Sequence, residues 1–232
     1  MKKYNKIVLN IPHASFNQVI SNLGGWEPNA NLINRAIQDT DWHTDFLFND
    51  YSNDKVVPCV FGYSRYYIDA ERIINDPLEK EGRGILYTEV NGFKRTFNDE
   101  IKQLLMSVRE KFINELSREI TSDTLLIDCH SFNKEVAPCI DICIGYNDDW
   151  SKPDKETIDG IVKIFEGAGY KVGINNPYSN SITPKEDNGY KSIMIEVNKK
   201  LYLRYGFEIN VDTRYAPRLT HTIKKVYDFI LK

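Results

Sequence analysis

The alternation of short apolar runs with amphipathic helical patterns is the feature that most constrains the fold of this chain. Helical spacing is clearest at residues 97–120 and recurs at residues 32–48, 154–166 and 214–231. Runs rich in β-forming residues separate these patterns and predict strands at residues 6–11, 55–61, 124–128, 140–144, 170–173 and 192–197. Together they predict an α/β fold, a three-layer sandwich in which helices cover both faces of a mixed, mostly parallel sheet.

Length, charge and apolar content set the broad class of the protein. No repeat or linker divides the 232 residues, of which 41% are hydrophobic, so residues 1–232 are predicted to form a single domain. The 30 basic and 33 acidic side chains are scattered along the chain, which argues against a basic face for nucleic acid. No apolar run approaches the roughly 20 residues that span a bilayer. We therefore expect a cytoplasmic protein with no nucleic-acid or membrane partner.

Three of the predicted strands end in, or carry, residues that can do chemistry. His13 and His130 directly follow two apolar strands, and Glu196 interrupts a third. Ligands of α/β folds collect at the carboxyl ends of strands, and neutral imidazole is the commonest metal ligand among side chains. Each histidine alone would more often be a structural residue. For the pair, a shared metal ion is as plausible as two structural histidines. Glu196 is either a general base beside that metal or the partner of a basic side chain.

An acidic segment and an arginine-rich segment offer further candidates. On a helix, Asp41 and Asp45 would lie one turn apart, where they could bind one cation or form an ordinary acidic first turn. Two histidines and one carboxylate are typical of catalytic zinc. Arg65 and Arg72 suit a substrate carboxylate or an oxyanion, or internal ion pairs with neighbouring acids, and both interpretations can hold together. The signatures of serine hydrolases and nucleotide-binding loops are absent from the sequence.

Six short motifs, in their order along residues 11–202, resemble the N-formylglutamate amidohydrolase family, which is related to the zinc carboxypeptidases and aspartoacylases. Each match is short, but their common order is specific. One departure is Glu71, where the family pattern usually has asparagine and where an extra negative charge lies beside Arg72. The matching residues are 12–15 (PHAS), 41–47 (DWHTDFL), 65–72 (RYYIDAER), 128–131 (DCHS), 176–178 (NPY, a loose match) and 196–198 (EVN).

The resemblance implies a zinc carboxypeptidase-like fold and assigns roles to individual residues. His13 and His130 would bind one divalent metal, zinc first, with a carboxylate from the acidic segment, for which Asp45 is preferred to Asp41. Asp128 would fix the tautomer of a ligand histidine. The remaining implied roles are Glu196 as general base, Arg72 as the group that polarises the scissile carbonyl, and Arg65, Arg72 and Asn176 as substrate-binding residues.

The activity that the resemblance implies is metal-dependent hydrolysis of the amide bond in a small N-formyl or N-acyl amino acid. Iron, manganese, cobalt or nickel could occupy the same site as zinc. Two alternatives stay open: a zinc amidase acting on a peptide or cell-wall fragment, and a non-catalytic small-molecule-binding relative that has lost its metal. The loops at residues 73–87 and 175–189 are expected to close over the substrate and to decide among these possibilities.

Overall fold

A computed structural model describes residues 4–19, 24–179, 189–204, 207–209 and 216–232. Short 3-10 turns occur at Pro77–Glu81 and Lys199–Leu201. The strands and helices follow in chain order: β1 (Lys6–Ile11), α1 (Ala30–Asp39), α2 (Thr44–Asn49), β2 (Val56–Val60), β3 (Glu89–Val90), β4 (Phe93–Lys94), α3 (Asp99–Glu119), β5 (Thr124–Phe132), β6 (Ile142–Gly145), α4 (Lys155–Gly167), β7 (Val172–Ile174), β8 (Lys191–Asn198), β9 (Leu203–Arg204), β10 (Glu208–Ile209) and α5 (Pro217–Ile230).

A six-stranded sheet with the order β2-β1-β5-β8-β6-β7 forms the centre of the fold. The first four strands of this order are parallel to their neighbours, β6 runs antiparallel to β8, and β7 is parallel to β6. Every residue of β5 is buried, as expected of a strand that is covered on both faces. The predicted α/β fold with a mixed, mostly parallel sheet is therefore confirmed.

The helical pattern predicted at residues 32–48 is interrupted in the structure. Helix α1 ends at Asp39. The next residue, Thr40, has an extended backbone (φ −76°, ψ 133°), and its hydroxyl donates to the Ala36 carbonyl at 2.8 Å. Helix α2 begins after His43, which adopts the left-handed conformation (φ 61°). The prediction that Asp41 and Asp45 share one helical face is wrong, because the break leaves Asp41 outside both helices.

The chain divides by contact density into two units, and each is discontinuous in sequence. One unit comprises residues 1–11, 42–60 and 116–232 and contains the six-stranded sheet with α2, α4 and α5. Its core includes Val8 and Leu126 from the sheet, packed with Leu116 of α3 and with Ile120, which directly follows that helix. The assignment of residues 1–232 to a single domain stays a prediction.

The other unit comprises residues 12–41 and 61–115 and contains α1, the β3–β4 hairpin and most of α3. Its core is aromatic: Trp26, Tyr66 and Tyr87 are buried together with Leu32 and Ala36 from α1. Among the helices of the described residues, none has both the length and the apolar character needed to cross a bilayer.

Candidate functional site

The register of the parallel strands places the predicted site residues at one edge of the sheet. Asn10 of β1 pairs with Asp128 of β5, and His130 of β5 pairs with Glu196 of β8. His13 follows the last residue of β1 by only two positions. The carboxyl ends of three adjacent strands therefore carry the two histidines and the glutamate, where α/β folds bind their ligands.

His130 is held by a buried carboxylate on its own strand. Its Nε2 lies 3.0 Å from Oδ1 of Asp128, and the same oxygen accepts a hydrogen bond from Nδ2 of Asn10 at 2.8 Å. Asp128 and Asn10 are fully buried, and His130 is nearly so. This contact is an ion-pair distance without the geometry of a hydrogen bond, so it places the two groups together but does not by itself fix the tautomer of the ring.

His13 has the same type of arrangement with Asp69. Nε2 of His13 lies 2.8 Å from Oδ1 of Asp69 and 3.1 Å from Nη2 of Arg65. Arginine offers only donors and an ionised aspartate only acceptors, so Nε2 cannot bond to both; the shorter contact places the ring hydrogen toward Asp69. Nδ1 is then the nitrogen able to act as a ligand, and it lies 3.8 Å from Oδ2 of the buried Asp41.

Asp69 is fully buried and receives hydrogen bonds from several donors. The Tyr87 hydroxyl donates to Oδ2 at 3.0 Å, the Glu71 backbone N–H donates to Oδ1 at 3.0 Å, and Nε of Arg65 donates to Oδ2 at 3.3 Å. Burial raises the pKa of Asp69, but the neighbouring His13 and Arg65 together lower it by more than burial raises it, so its pKa lies well below the usual value. Asp69 therefore stays ionised and orients the His13 ring.

Glu71 lies among the arginines of the same segment. Its Oε2 is 3.3 Å from Nη2 of Arg65, 3.8 Å from Nη1 of Arg72 and 3.7 Å from Nε2 of His13. Burial lowers the pKa of Arg65, but the surrounding groups, Tyr87 and Asp69 first among them, raise it, and the net pKa lies well above its usual value. The internal ion pairs predicted for the two arginines are therefore present.

One ligand atom from each of His13, Glu71 and His130 lies within 4.8 Å of the other two, a group that could hold a metal ion. Two imidazoles and a carboxylate are typical donors for catalytic zinc, so the residues fit the expected ion. His13 and His130, which the sequence predicted to share a metal, both belong to this group, and their role as metal ligands stays a prediction. Neither Asp41 nor Asp45, the two carboxylates considered from the sequence, is part of this group, and the assignment of Asp45 as a metal ligand stays a prediction.

Glu71 is the residue of this group that sequence reasoning missed as a metal-site candidate. Its position two residues after Asp69 and directly before Arg72 suggested only an arginine partner. The contact with His13, 58 positions earlier in the chain, depends on tertiary structure. No local spacing could have predicted it.

The other predicted site residues lie on different elements. Glu196 is 8% exposed and stands in the sheet between His130 of β5 and Cys143 of β6. Asn176 is exposed and follows β7. The catalytic and binding roles of Glu196, Arg65, Arg72 and Asn176 stay predictions. Of the two predicted substrate loops, residues 73–87 are described, whereas residues 180–188 of the second lie outside the described part of the chain.

Comparison with known proteins gives two kinds of likeness. The family model of N-formylglutamate amidohydrolase matches residues 5–203. The crystal structure of N-formylglutamate amidohydrolase from Ralstonia eutropha JMP134 superposes with a TM-score of 0.78 at 16% sequence identity and covers 98% of this chain and 94% of that chain. Gene product Atu2144 from Agrobacterium tumefaciens superposes with a TM-score of 0.65 at 16% identity, covering 100% and 93%. These structures show a shared fold. No curated protein sequence matches the chain.

Proposed function

Because this chain belongs to the N-formylglutamate amidohydrolase family, a family of amide-bond hydrolases, we propose that it is a metal-dependent hydrolase of a small N-formyl or N-acyl amino acid. The main support for a metal is the convergence of His13 and His130, two buried imidazoles from distant parts of the chain. Each ring has one nitrogen beside a buried aspartate, the arrangement typical of histidines that bind metals.

The proposed ligands are His13, His130 and Asp41. Asp69 engages Nε2 of His13, so the coordinating nitrogen is Nδ1, and the carboxylate that faces Nδ1 belongs to Asp41. Glu71, in contrast, approaches the ring from the side of Nε2, at 3.7 Å. Zinc is the first candidate because it accepts two imidazoles and one carboxylate and keeps a coordination position for water. When bound, such an ion polarises the scissile carbonyl and lowers the pKa of water.

The chain's own residues supply the remaining chemistry. Glu196 is proposed to take a proton from the attacking water and to return it to the leaving amine, which requires a carboxylate close to the two histidines. The strand register supports this role, because Glu196 lies beside His130. Arg72 would donate to the carbonyl oxygen as negative charge develops on it. Arg65 and Asn176 would hold the rest of the substrate.

Zinc analysis and turnover of one variant test the proposal. The chain purified with zinc should hold about one ion and should hydrolyse at least one member of a panel of N-formyl and N-acyl amino acids. Glu196→Gln should keep its zinc and lose about 100-fold in kcat, the scale of general-base catalysis. Glu135→Gln, an exposed change of the same kind, serves as the control.

Three results would contradict different parts of this proposal. Unchanged turnover in Glu196→Gln would remove that residue from the mechanism. Hydrolysis without any metal requirement would exclude the metal centre. A chain that binds these amides but neither holds zinc nor hydrolyses them would instead be a non-catalytic relative.

A further inference from the structure

The positive charge of Arg65 and Arg72 is already compensated by the chain itself. Arg65 lies 3.3 Å from Asp69 through Nε and 3.3 Å from Glu71 through Nη2. Arg72 lies 3.7 Å from Asp69 and 3.8 Å from Glu71. Two guanidinium groups thus share two carboxylates, both at least four-fifths buried, and the charges of these four side chains balance.

Arg72 nevertheless keeps hydrogen-bonding capacity. Its Nε is buried and has no hydrogen-bond partner among the described residues, and its approaches to Asp69 and Glu71 exceed hydrogen-bond distance. The carbonyl of Arg72 accepts a hydrogen bond from Nη2 of Arg109 at 2.5 Å, which fixes the backbone at this point. A guanidinium with a compensated charge and unused donors suits a neutral oxygen acceptor, such as an amide carbonyl.

Of the two carboxylates beside the arginines, Glu71 is the one without a second task. Asp69 is committed to orienting His13, to which it is hydrogen bonded at 2.8 Å. Glu71 approaches both arginines through the same oxygen, Oε2, which lies within ion-pair distance of Nη2 of Arg65 (3.3 Å) and of Nη1 of Arg72 (3.8 Å). Its side chain is 17% exposed, about as much as those of Arg65 (14%) and Arg72 (17%).

We propose that Glu71 fills the anion-binding position of Arg65 and Arg72, so that the site selects N-acyl substrates that present an uncharged amide or carbonyl group there and disfavours those that present a carboxylate. This inference rests on the proposed amidohydrolase function. It identifies the substrate class as N-acyl compounds whose group beside Arg65 and Arg72 carries no charge. A side-chain carboxylate, as in N-formylglutamate, would meet Glu71 as a like charge.

N-formylglutamate and N-formylglutamine differ by one charge at nearly the same size and serve as probes. Binding of each to the full chain, supplied with zinc, is measured by calorimetry in the Glu196→Gln background, where substrate consumption is suppressed. With Glu71 present, N-formylglutamine should bind about tenfold more tightly, since juxtaposed like charges disfavour binding. Glu71→Gln should tighten N-formylglutamate binding about tenfold and leave N-formylglutamine within about threefold. Glu110→Gln, an exposed change on α3, should alter neither value.

The ratio of the two affinities separates the outcomes. Equal or tighter binding of N-formylglutamate with Glu71 present, an unchanged ratio in Glu71→Gln, or binding of neither probe would overturn the inference. Loss of zinc from Glu71→Gln with an unchanged ratio would overturn it too, and would assign Glu71 to the metal. If Glu71→Gln does not fold, the ratio of the two affinities measured with Glu71 present decides whether the inference holds. Absence of hydrolysis in the chain with Glu196 intact would refute the proposed function but not the charge preference.

Discussion

Replacing Asp69 by asparagine removes one negative charge from the interior without changing the size of the side chain. Asp69 is fully buried and accepts from Tyr87, Arg65 and the Glu71 backbone N–H while it faces Nε2 of His13. In the variant, either orientation of the amide directs its NH2 group at groups that are themselves donors. Arg65 and Arg72 also lose a shared counterion.

The size of the effect follows from these contacts. Removing one partner of a buried ion pair costs about 3–5 kcal/mol, because the remaining charge stays buried without compensation. For a chain of this length, roughly 2–4 °C in melting temperature corresponds to each kcal/mol, so Asp69→Asn should melt roughly 6–20 °C below the unaltered chain. Loss of the carboxylate that orients His13 should also weaken zinc binding by about 10–100-fold.

Thermal melting in zinc-free buffer and zinc competition against a chelator of known affinity measure the two effects separately. Asp99→Asn is the matched control, because the Asp99 side chain is 89% exposed and its ion pair with Lys102 is worth at most about 1 kcal/mol. If Asp69→Asn melts at the same temperature as Asp99→Asn and binds zinc as tightly as the unaltered chain, Asp69 neither stabilises the arginine cluster nor orients His13.

Three further predictions concern Asp41, Arg95 and Asp141. Asp41→Asn should lose zinc on dialysis while Asp45→Asn keeps it, as measured by metal analysis; the reverse would restore Asp45 as the ligand. Arg95→Met should lower the free energy of unfolding in urea by about 2–6 kcal/mol, since the carbonyls of residues 24 and 67 each lose a buried donor. Burial raises the pKa of Asp141, but the Lys171 N–H and the Lys200 ammonium lower it on balance. The contribution of Asp141 to the free energy of unfolding is therefore fully present above 3.8, its pKa in the unfolded chain. The difference in that free energy between the unaltered chain and Asp141→Asn should shrink as pH falls below 3.8. A difference that stays constant with pH in urea denaturation would contradict this.

The regular elements were largely predictable from the sequence, because their signals are local. Each of the six predicted strands has a counterpart in the sheet, and the pattern at residues 97–120 became helix Asp99–Glu119. His13 and His130 could be found in the same way, since His13 lies two residues after an apolar strand and His130 lies near the end of another. Asp41 was placed wrongly, because Thr40 and His43 break the helix through backbone conformations that hydrophobic spacing does not encode.

The amino-acid sequence by itself determined the order of strands and helices and the positions of both histidines, because periodicity and strand ends depend on neighbouring residues. Only the tertiary structure decided which carboxylates meet them. Asp69 contacts His13 across 56 positions, and one carboxylate oxygen of Glu71 lies within ion-pair distance of both arginines and of His13. Such contacts depend on how distant segments are brought together, and burial then fixes the charge state and the hydrogen-bonding role of each group.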